Sequence, residues 1–185
     1  VDERGKLWAR AWVLDSPASS TTELAEWLSK RELPRRIIEI DHLHVLLLRV
    51  NPLHDALLTF ALLAQSAGVR VLNNPSTLPR IIHKGWLATL SDVPHPQTLV
   101  TRSRASAERF ASALPQVIVK PARSCGGKGV FLIRGTRGLE DAIDRVLSVG
   151  DGYFLVQEYL PEAALGEKRL ICLNGVLIGG YLRQR

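Results

Sequence analysis

Val117-Ile118-Val119-Lys120-Pro121 runs through Ala122-Arg123 into Ser124-Cys125-Gly126-Gly127-Lys128-Gly129, and Val130-Phe131-Leu132-Ile133-Arg134 follows. An apolar run, a glycine-rich stretch and a second apolar run read as strand, loop, strand. Consecutive glycines expose backbone N–H groups that can wrap phosphate oxygens. The loop is not a Walker A motif, because Lys128 is followed by glycine rather than Ser or Thr and a strand rather than a helix comes next. A dinucleotide fingerprint also opens a helix, so it is excluded on the same ground. Two readings remain: a glycine flap that closes over a nucleotide from above, or a plain mobile hairpin loop.

Outward from the flap, the second half reads as antiparallel α+β. Pro94 and Pro96 lead into a strand over Gln97–Thr101, and a helix follows near Ala105–Leu114. Leu139, Ile143, Val146 and Leu147 share one face of a further helix. Phe154–Gln157 is a strand, and Asn174-Gly175 joins Arg169–Leu173 to Val176–Leu182 as a type I′ hairpin. The first half alternates strands and helices. Leu7–Leu14 reads as an edge strand, and Ser20-Thr21-Thr22-Glu23 is a capping box for a short helix through Trp27 and Leu28. Leu43–Val50 has the continuous apolar character of a strand buried on both faces of a parallel sheet. Asp55 opens an apolar helix that closes at Gly68, and Val69–Leu72 is the next strand. Strand, helix, strand makes a βαβ unit, hence an open α/β sheet. A helix around Leu78–Leu90 leads from one half to the other, and the hinge falls near residues 73–95. No internal repeat is evident.

Composition narrows the partners. The 185 residues carry 24 Lys+Arg against 18 Asp+Glu, a net charge of +6. Residues 1–75 hold nine of each sign, so the whole excess lies after Pro75. No basic run longer than the pair Lys168-Arg169 occurs there and few aromatics interleave the cations, which argues against a nucleic-acid face. Apolar runs such as Val45–Leu48 are far too short to span a bilayer, and no charged-then-apolar segment opens the chain. Two cysteines, Cys125 and Cys172, are too few for a disulfide scaffold and point to a reducing, cytoplasmic setting. The absence of methionine leads us to expect a stretch of a longer polypeptide. Cys125 lacks a nearby histidine in sequence and reads as a flap-packing residue rather than a nucleophile. His42 and His44 share a strand face without a third ligand, and no HExxH or GxSxG pattern occurs.

Single cations carry more information. Lys120 ends an otherwise apolar strand, where an ammonium must reach water or meet an anion. Lys84, on the helix after the hinge, is a second such group, and two separated lysines converging on one phosphate chain suit a nucleotide triphosphate. Gln157-Glu158-Tyr159-Leu160-Pro161 leaves a buried strand at a proline turn, where backbone groups free of ladder pairing can read a base edge. Tyr159 and Leu160 would add apolar contact. In Glu167-Lys168-Arg169 an acid can accept from ribose hydroxyls and an arginine can fork onto phosphoryl oxygens.

In this order, the lysine, Lys-Pro strand end, Gly-Gly flap, Gln-Glu-Tyr-Leu-Pro and acid–Lys–Arg segments resemble the ATP-grasp ligases, and within them the prokaryotic glutathione synthetase family. Leu48-Arg49 through Asp55, Val71–Pro75, Thr98–Arg102 and Val117–Gly127 continue the likeness, which runs from about Leu7 to the end. The resemblance implies an α/β N-terminal open sheet followed by an α+β ATP-grasp nucleotide-binding subdomain with an antiparallel sheet. It places a partial N-terminal domain over 1–75, a hinge and the start of the ATP-grasp region over 76–115, and the flap subdomain over 116–185. It implies that Lys84 and Lys120 bind phosphate, Gly126 and Gly127 form the flap tip, Gln157, Glu158, Tyr159 and Leu160 hold adenine, Glu167 binds ribose and Arg169 stabilises the transferred phosphoryl group. ATP and Mg2+ are the implied cofactors, with the metal ligands expected beyond Arg185 and none within this chain. The partners implied are a small-molecule acid and an amine, γ-glutamylcysteine and glycine in this family, with no nucleic acid or membrane and a homo-oligomer allowed. Another ATP-grasp amino-acid ligase, or a degenerate non-catalytic nucleotide-binding module, is the alternative. The chain departs from the family pattern at Asn51 and His54, and its terminal Arg183-Gln184-Arg185 leaves open which arginine faces the site.

Overall fold

The computed structural model describes residues 2–14, 16–30, 33–50 and 53–184. Asn51 and Arg185 therefore lie outside the described residues. The chain divides into two compact units, Val1–Pro79 and Arg80–Arg185.

In the first unit, β1 (Trp8–Trp12) pairs antiparallel with β2 (Arg35–Glu39), and α1 (Thr21–Lys30) lies between them in sequence. The capping box forms with one change of partner. Glu23 N–H donates to Ser20 Oγ at 3.1 Å, but the Glu23 carboxylate reaches back to the N–H and hydroxyl of Ser19, both at 2.6 Å. Those donors hold the carboxyl below its ordinary pKa. The apolar pattern does not mark β2, because Arg35, Arg36 and Glu39 make it look like a solvated loop. Its ladder with β1 and the packing of Ile38 against the core hold it, and at its first residue the Arg35 guanidinium lies over the Trp12 ring at 4.9 Å.

The βαβ unit is present. β3 (Val45–Leu47) and β4 (Arg70–Leu72) pair in parallel, joined by α2 (Asp55–Ser66). The helix ends as a Schellman motif, with Gly68 N–H on the Gln65 carbonyl and Val69 N–H on that of Ala64. One expectation is corrected: β3 is not buried on both faces. Val45 and Leu47 are 45% and 59% exposed, because this sheet has two strands and its core lies on one side. That core gathers Leu7, Ile40, Ala61, Ala64, Val69 and Val71.

After α3 (Leu78–Ile82), the second unit is built on a four-stranded antiparallel sheet in the order β5-β8-β6-β7. Its strands are β5 (Thr98–Thr101), β6 (Gln116–Pro121), β7 (Phe131–Arg134) and β8 (Phe154–Glu158). Helices α4 (Arg104–Ser112) and α5 (Leu139–Leu147) cover one face. The alternation of β6 decides which side chains go there: Val117, Val119 and Pro121 are buried, while Gln116, Ile118 and Lys120 are not. Ala107, Ala111, Ile133, Ile143, Val146, Phe154 and Val156 complete this core. A separate hairpin, β9 (Glu167–Leu173) with β10 (Val176–Arg183), turns at Asn174 and Gly175. Their φ values of 50° and 81° are those of the type I′ turn that the Asn-Gly pair specifies.

Deleting the Ile143 side chain is expected to cost about 2–5 kcal/mol, the usual range for a fully buried aliphatic. Ile178, 60% exposed on β10, should cost no more than about 0.5 kcal/mol on truncation. Urea denaturation of Ile143→Ala and Ile178→Ala measures the difference, and equal midpoints would contradict the placement of the core.

Candidate functional site

Register places the candidate residues on the sheet face opposite α4 and α5. Thr98 lies directly opposite Gln157, and Gln157 directly opposite Ile118. Lys120 pairs with Leu155, one step further along the same face. Side chains of one row and the diagonal of the next are within reach of each other. Lys120 Nζ donates to Gln157 Oε1 at 2.5 Å, and Gln157 Nε2 donates to Thr98 Oγ1 at 2.6 Å.

Lys84 joins this group from a different local structure than expected. The helix around Leu78–Leu90 does not run through: α3 stops at Ile82, His83 is extended, and Lys84–Thr89 form a 3-10 turn. Tertiary bonding breaks it. Lys84 N–H donates to the Ala122 carbonyl at 2.9 Å instead of to a helical partner. His83 Nδ1 accepts from Gly85 N–H, which caps the new turn. Gly85 is required for this approach, since a Cβ there would stand 2.7 Å from Val100 Cγ2. Lys84 Nζ then donates to Ser124 Oγ and, at 3.2 Å, to the Pro121 carbonyl.

Both ammonium groups are half-buried, and among the described residues neither has a carboxylate partner. Burial pushes the Lys84 pKa down, the Lys120 charge lowers it further, and Cys125 opposes them. Burial alone pushes Lys120 down. Two like charges held this way are an unpaid electrostatic debt that a polyanion would cancel.

The flap lies between β6 and β7 as expected. Nothing stands within 4 Å of the Cβ position at Gly126 or Gly127, so the backbone there is open. Glu158 N–H donates to the Gln97 carbonyl at 2.9 Å, and the Gln97 N–H donates to the Glu158 carboxylate at 3.2 Å. Tyr159 N–H donates to the Gln116 carbonyl, so the N–H groups of Glu158 and Tyr159 are not free of ladder pairing as expected; Tyr159 is half-buried and Leu160 exposed. Glu167, Arg169 and Arg183 form a second group on the β9–β10 hairpin. Arg169 donates to the Glu167 carboxylate at 2.7 Å and Arg183 does so at 3.2 Å. That acid also raises the Arg169 pKa. Of the two terminal arginines left open by the sequence, Arg183 is thus engaged with Glu167. Thr98, Ser124 and the Pro121 carbonyl were not singled out beforehand. A hydroxyl in the apolar Thr98-Leu99-Val100 run was the available signal for the first. Two open clefts elsewhere, beside Lys6 and Glu39 and beside Arg104 and Glu140, contain none of these residues.

The family of prokaryotic glutathione synthetase, ATP-grasp domain, matches residues 85–185. The chain belongs to this family. Lys84 lies one residue before the matched stretch, while Lys120, the flap glycines and Gln157 fall inside it. Glutathione synthetase of Wigglesworthia glossinidia brevipalpis is 28% identical over 178 residues, covering 94% of this chain and 54% of that protein. The Escherichia coli (strain K12) glutathione synthetase is 30% identical over 158 residues, 81% of this chain and 48% of that one. The chain thus spans about half the length of the curated relatives it matches. Among solved structures, a RimK domain protein ATP-grasp from Sphaerobacter thermophilus superposes with a TM-score of 0.64 at 23% identity, over 76% of this chain and 55% of that one. D-cycloserine synthetase DcsG gives 0.65 at 19%, over 77% and 53%. These likenesses establish the ATP-grasp fold with its antiparallel sheet.

Because burial depresses the Lys120 pKa, the unfolded chain binds more protons between the depressed value and the ordinary 10.5, and stability rises with pH across that window. Replacing the ammonium removes the penalty at neutral pH. Lys120→Met is therefore expected to raise the thermal unfolding midpoint at pH 7, with the gain shrinking as pH approaches 10.5. A lowered midpoint would show that the bond to Gln157 outweighs desolvation.

Proposed function

We propose that this chain is the nucleotide-holding part of an ATP-dependent carboxylate–amine ligase, and that the acid and amine are γ-glutamylcysteine and glycine. The observation that carries the reading is the lysine pair at the glycine flap, two half-buried ammonium groups that have no carboxylate partner among the described residues. Membership of the glutathione synthetase family supports the choice of substrates. In this reading residues 1–75 belong to the first domain, 76–115 to the hinge and the start of the ATP-grasp region, and 116–185 to the flap subdomain.

Lys84 and Lys120 offset phosphate charge, and Gly126 and Gly127 present backbone N–H groups over the phosphates. Gln157, Glu158, Tyr159 and Leu160 receive the adenine, and Glu167 takes the ribose once its arginine contacts are shared. Arg169 faces the phosphoryl group in transfer. A substrate carboxylate oxygen attacks the γ-phosphorus of ATP, giving an acyl phosphate and ADP. The amine then attacks the acyl carbon and phosphate leaves, a far better leaving group than oxide. Positioned cations rather than a nucleophilic side chain supply the rate. Magnesium would screen the phosphates in this chemistry, but the two acids of the candidate site, Glu158 and Glu167, are already engaged and do not fit as its ligands. The Glu158 carboxylate accepts from Gln97, and that of Glu167 from two arginines. We assign no magnesium ligand to the described residues. A cytoplasmic location accords with two free cysteines, and no helix among the described residues is long and apolar enough to cross a membrane.

In the protein that carries this sequence, Lys120→Ala is expected to weaken ATP binding about 10- to 150-fold, as for a lost hydrogen bond to a charged group. Isothermal titration with ATP measures this, and unchanged affinity would overturn the assigned site. ADP release that requires γ-glutamylcysteine and glycine together, compared with other acid–amine pairs, decides the substrates.

A further inference from the structure

We propose that Thr98 is a positioning residue for the nucleotide site, setting the orientation of Gln157 and through it the placement of the Lys120 ammonium. The inference rests on the reading of Lys120 as a phosphate ligand.

The argument is one of donors and acceptors. Pro96 offers a carbonyl that can only accept, and the Thr98 hydroxyl donates its single proton to it at 2.8 Å. Thr98 Oγ1 then has lone pairs left and no proton, so any further partner must donate. Gln157, directly opposite in the ladder, meets it with the amide nitrogen at 2.6 Å. An amide that turns its NH2 to Thr98 turns its oxygen the other way, and Oε1 faces Lys120 Nζ at 2.5 Å. Flipped end for end, the amide would aim N–H groups at an ammonium. The relay from Pro96 through Thr98 thus selects the orientation that favours the cation.

Lys120 depends on that selection. The neighbouring charged group is Lys84, which repels it, and Cys125 is the titratable group beside Lys84. With no carboxylate partner among the described residues, the Gln157 oxygen is the acceptor that offsets the burial of Lys120. Hydrogen bonding to the charged form favours that form.

The test follows the Lys120 ammonium by NMR titration in this chain without nucleotide, alongside ATP affinity. Thr98→Val keeps the branched shape and the backbone pairing but ends the relay. It is expected to lower the Lys120 midpoint by about half a pH unit or more. Thr98→Ser, which keeps the hydroxyl, is expected to restore the parent value. Gln157→Met cuts the same relay from its other end and should shift Lys120 in the same direction, so the question is answered even if Thr98→Val does not fold. An unshifted Lys120 in the variant that folds, or a Thr98→Ser chain shifted as far as Thr98→Val, overturns the proposal. If Lys120→Ala weakens ATP binding while these variants leave Lys120 unshifted, the positioning role alone fails. If Lys120→Ala leaves ATP affinity unchanged, the nucleotide-site reading fails and takes the proposal with it.

Discussion

Lys84 and Lys120 stand half-buried at one face of the β5-β8-β6-β7 sheet, and each is bonded to uncharged oxygens: Ser124 and Pro121 for the first, Gln157 for the second. An ammonium in such surroundings opposes folding unless its neighbours are fixed to receive it. Much of the second unit can be understood as that fixing. The 3-10 turn exists because Lys84 N–H is held by the Ala122 carbonyl, and the turn fits because residue 85 has no side chain. Gln157 is held by Thr98, and Thr98 by Pro96.

The other face of the same sheet makes this possible. Val117, Val119, Phe154 and Val156 are fully buried beneath α4 and α5, together with Ile143 and Val146. Burial of that apolar area supplies the stability against which the lysine face is a standing loss. A strand such as β6, with alternate residues on opposite faces, is therefore the natural carrier of both roles. Shifting its register by one residue would put Lys120 into the core and Val119 into the site.

Much of this was legible beforehand. The apolar spacing of Leu139, Ile143 and Val146 gave α5, and Asn174-Gly175 gave a type I′ hairpin whose conformation follows from the chemistry of those two residues. The parallel pair around α2 followed from strand, helix and strand lengths. The strand β2 was hidden because only Ile38 of its five residues packs against the core, while Arg35, Arg36 and Glu39 give it the pattern of a solvated loop. The exposure of Val45 and Leu47 was equally invisible, since an apolar strand does not state how many neighbours its sheet has. In the site, Lys120, the flap glycines and Gln157 stood out by type and order, but Thr98 did not, because its importance lies in where its one proton goes.

From the sequence by itself came the ATP-grasp order of segments, the lysine at the end of an apolar strand, and a glycine-rich loop between two strands. Each segment is legible locally, from residue types within a few positions of one another, and their order along the chain needs no knowledge of the fold. The tertiary structure alone decided that Lys84 leaves a helix to meet Ser124, that Glu167 is shared by Arg169 and Arg183, and that a threonine orients the glutamine facing Lys120. Hydrogen bonds between residues 37, 40 or 59 positions apart choose their partners by register and packing, which the chain settles only when it folds.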